Sequence, residues 1–122
     1  MPVAVRDRIE GDVRSARLAT ANGTVEEAWA LLEDAHVLSQ PWARPHVKVH
    51  AAMLVLGWHT RDRAEIAGQV LRLLVAGPGS LTGRYPEGNT GRTSVGLTTP
   101  MPIPPDLVTA MGDRRGGGLK AV

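Results

Sequence analysis

The places where the helical pattern breaks constrain this chain most. Apolar residues recur every three or four positions through the first 76 residues: Val5, Ile9, Val13 and Ala16, then Val25, Ala28, Trp29, Leu32 and Ala35. Gly23 suits a left-handed cap closing the first helix. Thr24 with Glu27 has capping-box spacing for the second. Pro41 stops that second helix, and Pro45 fits the first turn of a third reaching about Trp58, where its missing N–H costs nothing. Thr60-Arg61-Asp62 then turns the chain into a fourth helix, from about Arg63 to Val75, with Ile66, Val70, Leu73 and Leu74 expected inward. Links this short force consecutive helices to lie antiparallel and adjacent. The pattern is that of an all-α fold made of two consecutive helical hairpins.

After residue 76 the periodicity ends. Residues 77–104 are rich in Gly, Pro, Thr and Ser and read as an extended arm, ordered because Val95, Leu97, Met101 and Ile103 can lie back on the helices. Pro104–Pro105 can start a short helix over 105–112, and 113–122 reads as a flexible tail. The whole is expected to be a single helical domain over 1–112.

Composition excludes several classes. A formal net charge of +2, with basic residues spread along the chain, argues against nucleic acid. The beginning of the chain lacks a signal-type apolar run, and "AAMLVLGW" is far too short for a membrane span, so a cytoplasmic protein without membrane contact is expected. With no Cys, a metal could be held only by nitrogen and oxygen donors. "EGNTGRT" lacks the order of a phosphate loop and reads as backbone turns. No Ser–His–Asp order and no dinucleotide fingerprint appears.

Three of the four histidines stand in "EDAHVLSQPWARPHVKVHAAM", residues 33–53. His46 and His50 are one turn apart on the third helix, about 40° from alignment, an H-x-x-x-H spacing able to chelate one ion. His36 continues the apolar stripe Trp29–Leu32–Ala35 and so faces the other helices. The short link through Pro41 brings the end of the second helix to the start of the third, where all three imidazoles can converge. Glu33 and Gln40 lie within side-chain reach of His36. His59, half a turn out of phase with His50, points away.

Glu33-x-x-His36 has the spacing of carboxylate-bridged sites in helix bundles, and Asp12 is a further candidate carboxylate. No second such pair exists, so a dinuclear site is incomplete. Three His with at most one carboxylate suit a mononuclear divalent transition metal: Zn, Cu, Ni or Fe. The candidate metal ligands are therefore His36, His46, His50 and Glu33, with Glu33 and His36 as candidate acid–base residues. Against this stands the ordinary role of a helix histidine as a hydrogen-bonded packing residue. Arg72, opposite His50, could anchor an anion but reads more simply as a solvated charge. The glycine arm could cover the histidines as a lid, with Asn89 or Thr90 adding polar contacts.

Residues 16–41 resemble a tetratricopeptide repeat, with Gly23 at the turn, Ala28 and Ala35 at the small packing positions and Pro41 near the close. A weaker copy spans about 45–74. Two such repeats are too few for a solenoid, so a closed bundle with tetratricopeptide-like hairpins is implied. Through "EDAHVLSQ", "RPHVKVHAAMLVLGW", "EGNTG" and "PMPIPPDL" the chain also resembles a bacterial family known as domain of unknown function 3703. That resemblance implies a helical fold, puts weight on Glu33, His36, Gln40, His46 and His50, and carries no activity.

Three functions follow as expectations. One is a small metal-binding protein, a metal-dependent enzyme or a metal-handling accessory, acting on a small-molecule substrate. Another is a tetratricopeptide-like module that binds protein or peptide, with an apolar patch covered in a homodimer. The third is a metal-free His/Glu acid–base catalyst.

Overall fold

The structure, a computed structural model, describes residues 1–115. It holds five helices and, among the described residues, no strand: α1 (Val3–Ala21), α2 (Val25–Ser39), α3 (Ala43–His59), α4 (Arg63–Thr82) and α5 (Pro105–Arg115). α1 packs along α2 and α3 along α4, with α2 against α3 joining the two pairs. This is the expected double hairpin.

Gly23, at φ 79°, ends α1 as anticipated, with its N–H on the Thr20 carbonyl and that of Thr24 on Ala19. The capping box does not form. The Thr24 hydroxyl donates back to the Ala19 carbonyl at 3.0 Å, so it closes α1 and caps nothing in α2. Asp62 does cap α4, accepting from the Glu65 N–H at 3.1 Å.

The core is aliphatic, as a chain without Phe requires: Val5, Ile9, Leu32, Leu38, Val49, Met53 and Leu56 surround the one buried Trp29. α5 completes it by burying Leu107 and Met111 against α1 and α2.

Two expectations about α4 are overturned. It continues past residue 76, through Gly77-Pro78-Gly79, to Thr82, so the arm spans 83–104 and not 77–104. Pro78 cannot donate to Leu74, but Leu74 is 71% exposed and its carbonyl can turn to water. The added turn is held by Ser80, buried against the end of α2.

The inward face is also different. Val70 and Leu74 are exposed, while Glu65, Gln69, Arg72, Ala76 and Ser80 are buried along one stripe. This polar stripe faces the histidine corner, where its hydrogen-bonding groups find partners. Apolar side chains at those positions would leave the corner's polar atoms unsatisfied.

At the other end of the chain, α5 runs three residues beyond the expected boundary at 112. Residues 116–122 of the expected tail lie outside the described part.

Candidate metal centre

His36 occupies the last turn of α2, and His46 and His50 occupy successive turns of α3. Gln40, Pro41 and Trp42 are the whole link between the two helices, so the three rings meet. Each is at most 5% exposed. Their Nε2 atoms form a small triangle: 2.9 Å from His36 to His50, 3.0 Å from His36 to His46 and 3.2 Å from His46 to His50. The rings stand edge-on or tilted to one another, with centroids 4.5–4.9 Å apart. These three residues form a group able to hold a metal ion.

What lies behind each ring decides the protonation. His36 Nδ1 is 2.7 Å from the Asn89 carbonyl oxygen, which can only accept, so this nitrogen carries the proton. His50 Nδ1 is 2.7 Å from Gln69 Oε1. The Gln69 amide is oriented by its own NH2, which donates to Glu65 Oε2 at 3.1 Å and to the Gly91 carbonyl at 2.7 Å. Its oxygen therefore accepts from His50. His46 Nδ1 is 2.7 Å from Ser80 Oγ, whose single hydrogen is given to the Gln40 carbonyl, so Ser80 also accepts. The hydrogen-bond network thus assigns one tautomer to all three rings: Nδ1–H outward, Nε2 lone pair inward.

Three lone pairs then face one another across about 3 Å, which is repulsive unless a positive charge sits among them. Protons are poor candidates near neutral pH. Burial, reinforced by the neighbouring imidazoles, holds the His36 pKa well below its ordinary value. Burial lowers His46 and His50 to about 4, the first helped by His50 and the second by Arg72.

Around the rings the outer partners are themselves fixed. Asn89 is buried, and its side chain ties the arm together by donating to the Gly96 and Thr99 carbonyls and accepting from the Gly91 N–H. Gln40 clamps the arm to α2, donating to the Pro86 carbonyl and accepting from the Gly88 N–H. Gly91, at φ 81°, lies flat on the His36 ring: a Cβ there would come within 2.7 Å of His36 Cδ2. The arm therefore covers the corner, as anticipated for a lid, but it does so with the Asn89 main-chain carbonyl, a contact invisible in side-chain chemistry. Gln69 and Ser80 were also missed. Their signal was the polar stripe at helical spacing in α4, hidden by the more numerous leucines and valines beside it.

Other candidates fall elsewhere. Glu33, expected as a ligand, accepts from Arg92 Nη1 at 3.2 Å, while Arg92 Nε donates to Glu65 at 2.7 Å and the guanidinium stacks on Trp29, 3.8 Å from its ring. Arg92, seated on the Trp29 ring, draws Glu33 away from the imidazoles, and Glu33 is not one of the group able to hold a metal. Asp12 pairs with Arg8 at 2.9 Å and stays out of the corner. His59, the last residue of α3, is exposed at its far end. Arg72 is not solvated: it is 6% exposed and donates to the Arg92 and Val95 carbonyls of the arm.

In front of the triangle is a cavity of about 200 Å³. The three histidines form its floor, Arg72, Val75 and Ala76 part of its wall, and the exposed Arg84, Leu97 and Thr98 its rim. Among the described residues no helix is long and apolar enough to cross a membrane.

The chain belongs to the family described as "Protein of unknown function (DUF3703)", whose model matches residues 3–111. No curated protein and no solved structure matches it.

Proposed function

We propose that this DUF3703 member binds one divalent transition-metal ion on the Nε2 atoms of His36, His46 and His50 and uses it as a metal-dependent enzyme centre. The observation that carries this is the inward set of three lone pairs, each fixed by a proton held on the opposite nitrogen. Triangle edges of 2.9–3.2 Å correspond to one face of an octahedron, or of a slightly pinched tetrahedron, around an ion roughly 2.1 Å from each nitrogen. The other side of the ion would face the cavity. Three protein ligands and an open position suit catalysis better than structural bracing, which closes all four positions. The donor set suits Zn, Cu, Ni or Fe, and excludes the hard, oxygen-seeking Mg and Ca. Such an ion would lower the pKa of a bound water and supply a nucleophile for hydrolysis or hydration of a small substrate.

The test is elemental analysis of protein without a polyhistidine tag. One equivalent of metal is expected in the wild type and in His59→Ala, and none in His46→Ala or His50→Ala. Metal retained after loss of either α3 histidine would end the proposal. Gln69→Leu keeps the three ligands but frees the His50 ring. It is expected to weaken zinc binding 10–100-fold in a competition titration, the usual effect of losing an outer-shell partner.

A separate feature favours a second role, as a peptide-binding module. A groove of about 960 Å³ lies between α1 and α3, floored by Ile9, Val49 and Leu56 and edged by Arg14, Arg17 and Lys48. It suits an acidic amphipathic segment. That role would survive replacement of all three cluster histidines, which separates it from the first.

A further inference from the structure

We propose that the exchangeable ligand of this centre is a small planar carboxylate-type anion, held between the metal ion and Arg72. The inference rests on the metal assignment above and adds the class of molecule the site takes.

Charge accounting carries it. All three ring ligands are neutral, and so is every group behind them: a backbone carbonyl at Asn89, an amide at Gln69 and a hydroxyl at Ser80. Many histidine–metal centres place carboxylates behind the rings to offset the ion. Here none touches them. The nearby Glu65 is occupied, accepting from Arg92, Gln69 and Thr93. Glu33 shares the same Arg92. With Arg72 included, this surrounding set of two Glu and two Arg sums to zero formal charge. A bound divalent ion would therefore keep both of its charges uncompensated in a largely buried site, which is costly unless an anion enters with it.

The cavity is made for such an anion. Its lining contains Arg72 and Arg84 and no Asp or Glu. Arg72 is buried and, among the described residues, in no ion pair: its donors go to the Gly68, Arg92 and Val95 carbonyls, which fix the guanidinium without neutralising it. Nη2 gives both hydrogens to the Arg92 and Val95 carbonyls, so Arg72 offers an anion its charge and its remaining N–H bonds. A carboxylate, with one oxygen for the ion and one for the guanidinium, spans the two better than a spherical ion. Val75, Ala76 and Leu97 add an apolar wall, so a short aliphatic tail would be accommodated beside the charged head. At ~30 Å³ for each water displaced, the volume holds a ligand of roughly half a dozen heavy atoms.

The experiment uses the full chain, untagged, reconstituted with one equivalent of Co²⁺, and follows the visible absorption bands. Acetate, propionate and bicarbonate are titrated in turn, with chloride and neutral acetamide as comparisons. Saturable spectral changes with the carboxylates and none with acetamide are expected, acetate and propionate binding more tightly than chloride. A response to bicarbonate alone would place the ligand among carbonates, whereas propionate binding tighter than bicarbonate would place it among organic acids. Arg72→Met is expected to weaken acetate binding at least tenfold while Co²⁺ stays stoichiometric. Because the acetate–acetamide comparison is made on the wild type, it decides the matter even where the variant does not fold. Stoichiometric Co²⁺ with a spectrum indifferent to every anion overturns this proposal alone. Failure to retain Co²⁺, or retention in His46→Ala, overturns the metal assignment instead.

Discussion

Stripped of metal, the protein is expected to lose on the order of 6 kcal/mol of folding stability as the pH falls from 6.5 to 4. In the unfolded chain His46 and His50 titrate near the ordinary histidine value of 6.5, whereas in the folded protein burial lowers both to about 4. Between those values the unfolded chain binds protons that the folded chain refuses, so stability declines as the pH falls through this window. At about 1.4 kcal/mol per unit, each ring contributes on the order of 3 kcal/mol, and His36 adds in the same direction. A domain with 5–15 kcal/mol to lose would approach its unfolding midpoint inside this window. Urea unfolding in the presence of chelator at pH 7.5, 6, 5 and 4.5 measures the slope. A flat profile from 7.5 to 5 would mean that the rings are not buried neutral. Zinc in excess should shift the decline to lower pH, because it stabilises only the folded state and competes with protons for the same lone pairs.

The second large effect belongs to Gly91→Ala, expected to cost about 2–4 kcal/mol and to remove stoichiometric metal. The backbone there has φ 81°, and the added methyl would lie 2.7–2.9 Å from Cδ2, Cγ and Nε2 of His36. Neither partner can retreat. His36 is pinned by the Asn89 carbonyl, and Gly91 is bound through its N–H to Asn89 and through its carbonyl to Gln69. Gly23 supplies the control, for it has nearly the same φ, 79°, with nothing within 4 Å of its imagined Cβ. Gly23→Ala should therefore cost only the left-handed strain, about 1 kcal/mol, and leave the metal in place. Equal thermal shifts in the two variants would show that contact with the imidazole contributes nothing.

The helical hairpins and the meeting of His36, His46 and His50 were legible in the residues because both rest on local rules. Period, proline and glycine punctuation, and a three-residue link between α2 and α3 leave little freedom. Glu33 misled for an equally physical reason. Spacing along α2 puts it beside His36, but Arg92, 59 positions later, outcompetes the site for it. The polar face of α4 defeated the usual rule that apolar residues point inward, since Glu65, Gln69 and Ser80 are buried to serve groups on another helix and on the arm. The Asn89 carbonyl left no trace in the sequence at all. Every residue carries the same main-chain carbonyl, and only the path of the arm brings this one behind His36.

That path has a kinetic consequence. The rings come from adjacent turns, but the groups that lock them arrive late in the chain: Gln69, Ser80 and finally Asn89. In the proposed metal centre, an ion arriving before residues 83–104 have settled would meet imidazoles not yet held in their inward tautomer, and would bind loosely. With the strap down, all three rings would hold the ion at once, and the cavity in front of them would remain its way in and out. The dwell time of the proposed ion would then depend on how firmly Asn89, Gln69 and Ser80 hold the rings from behind.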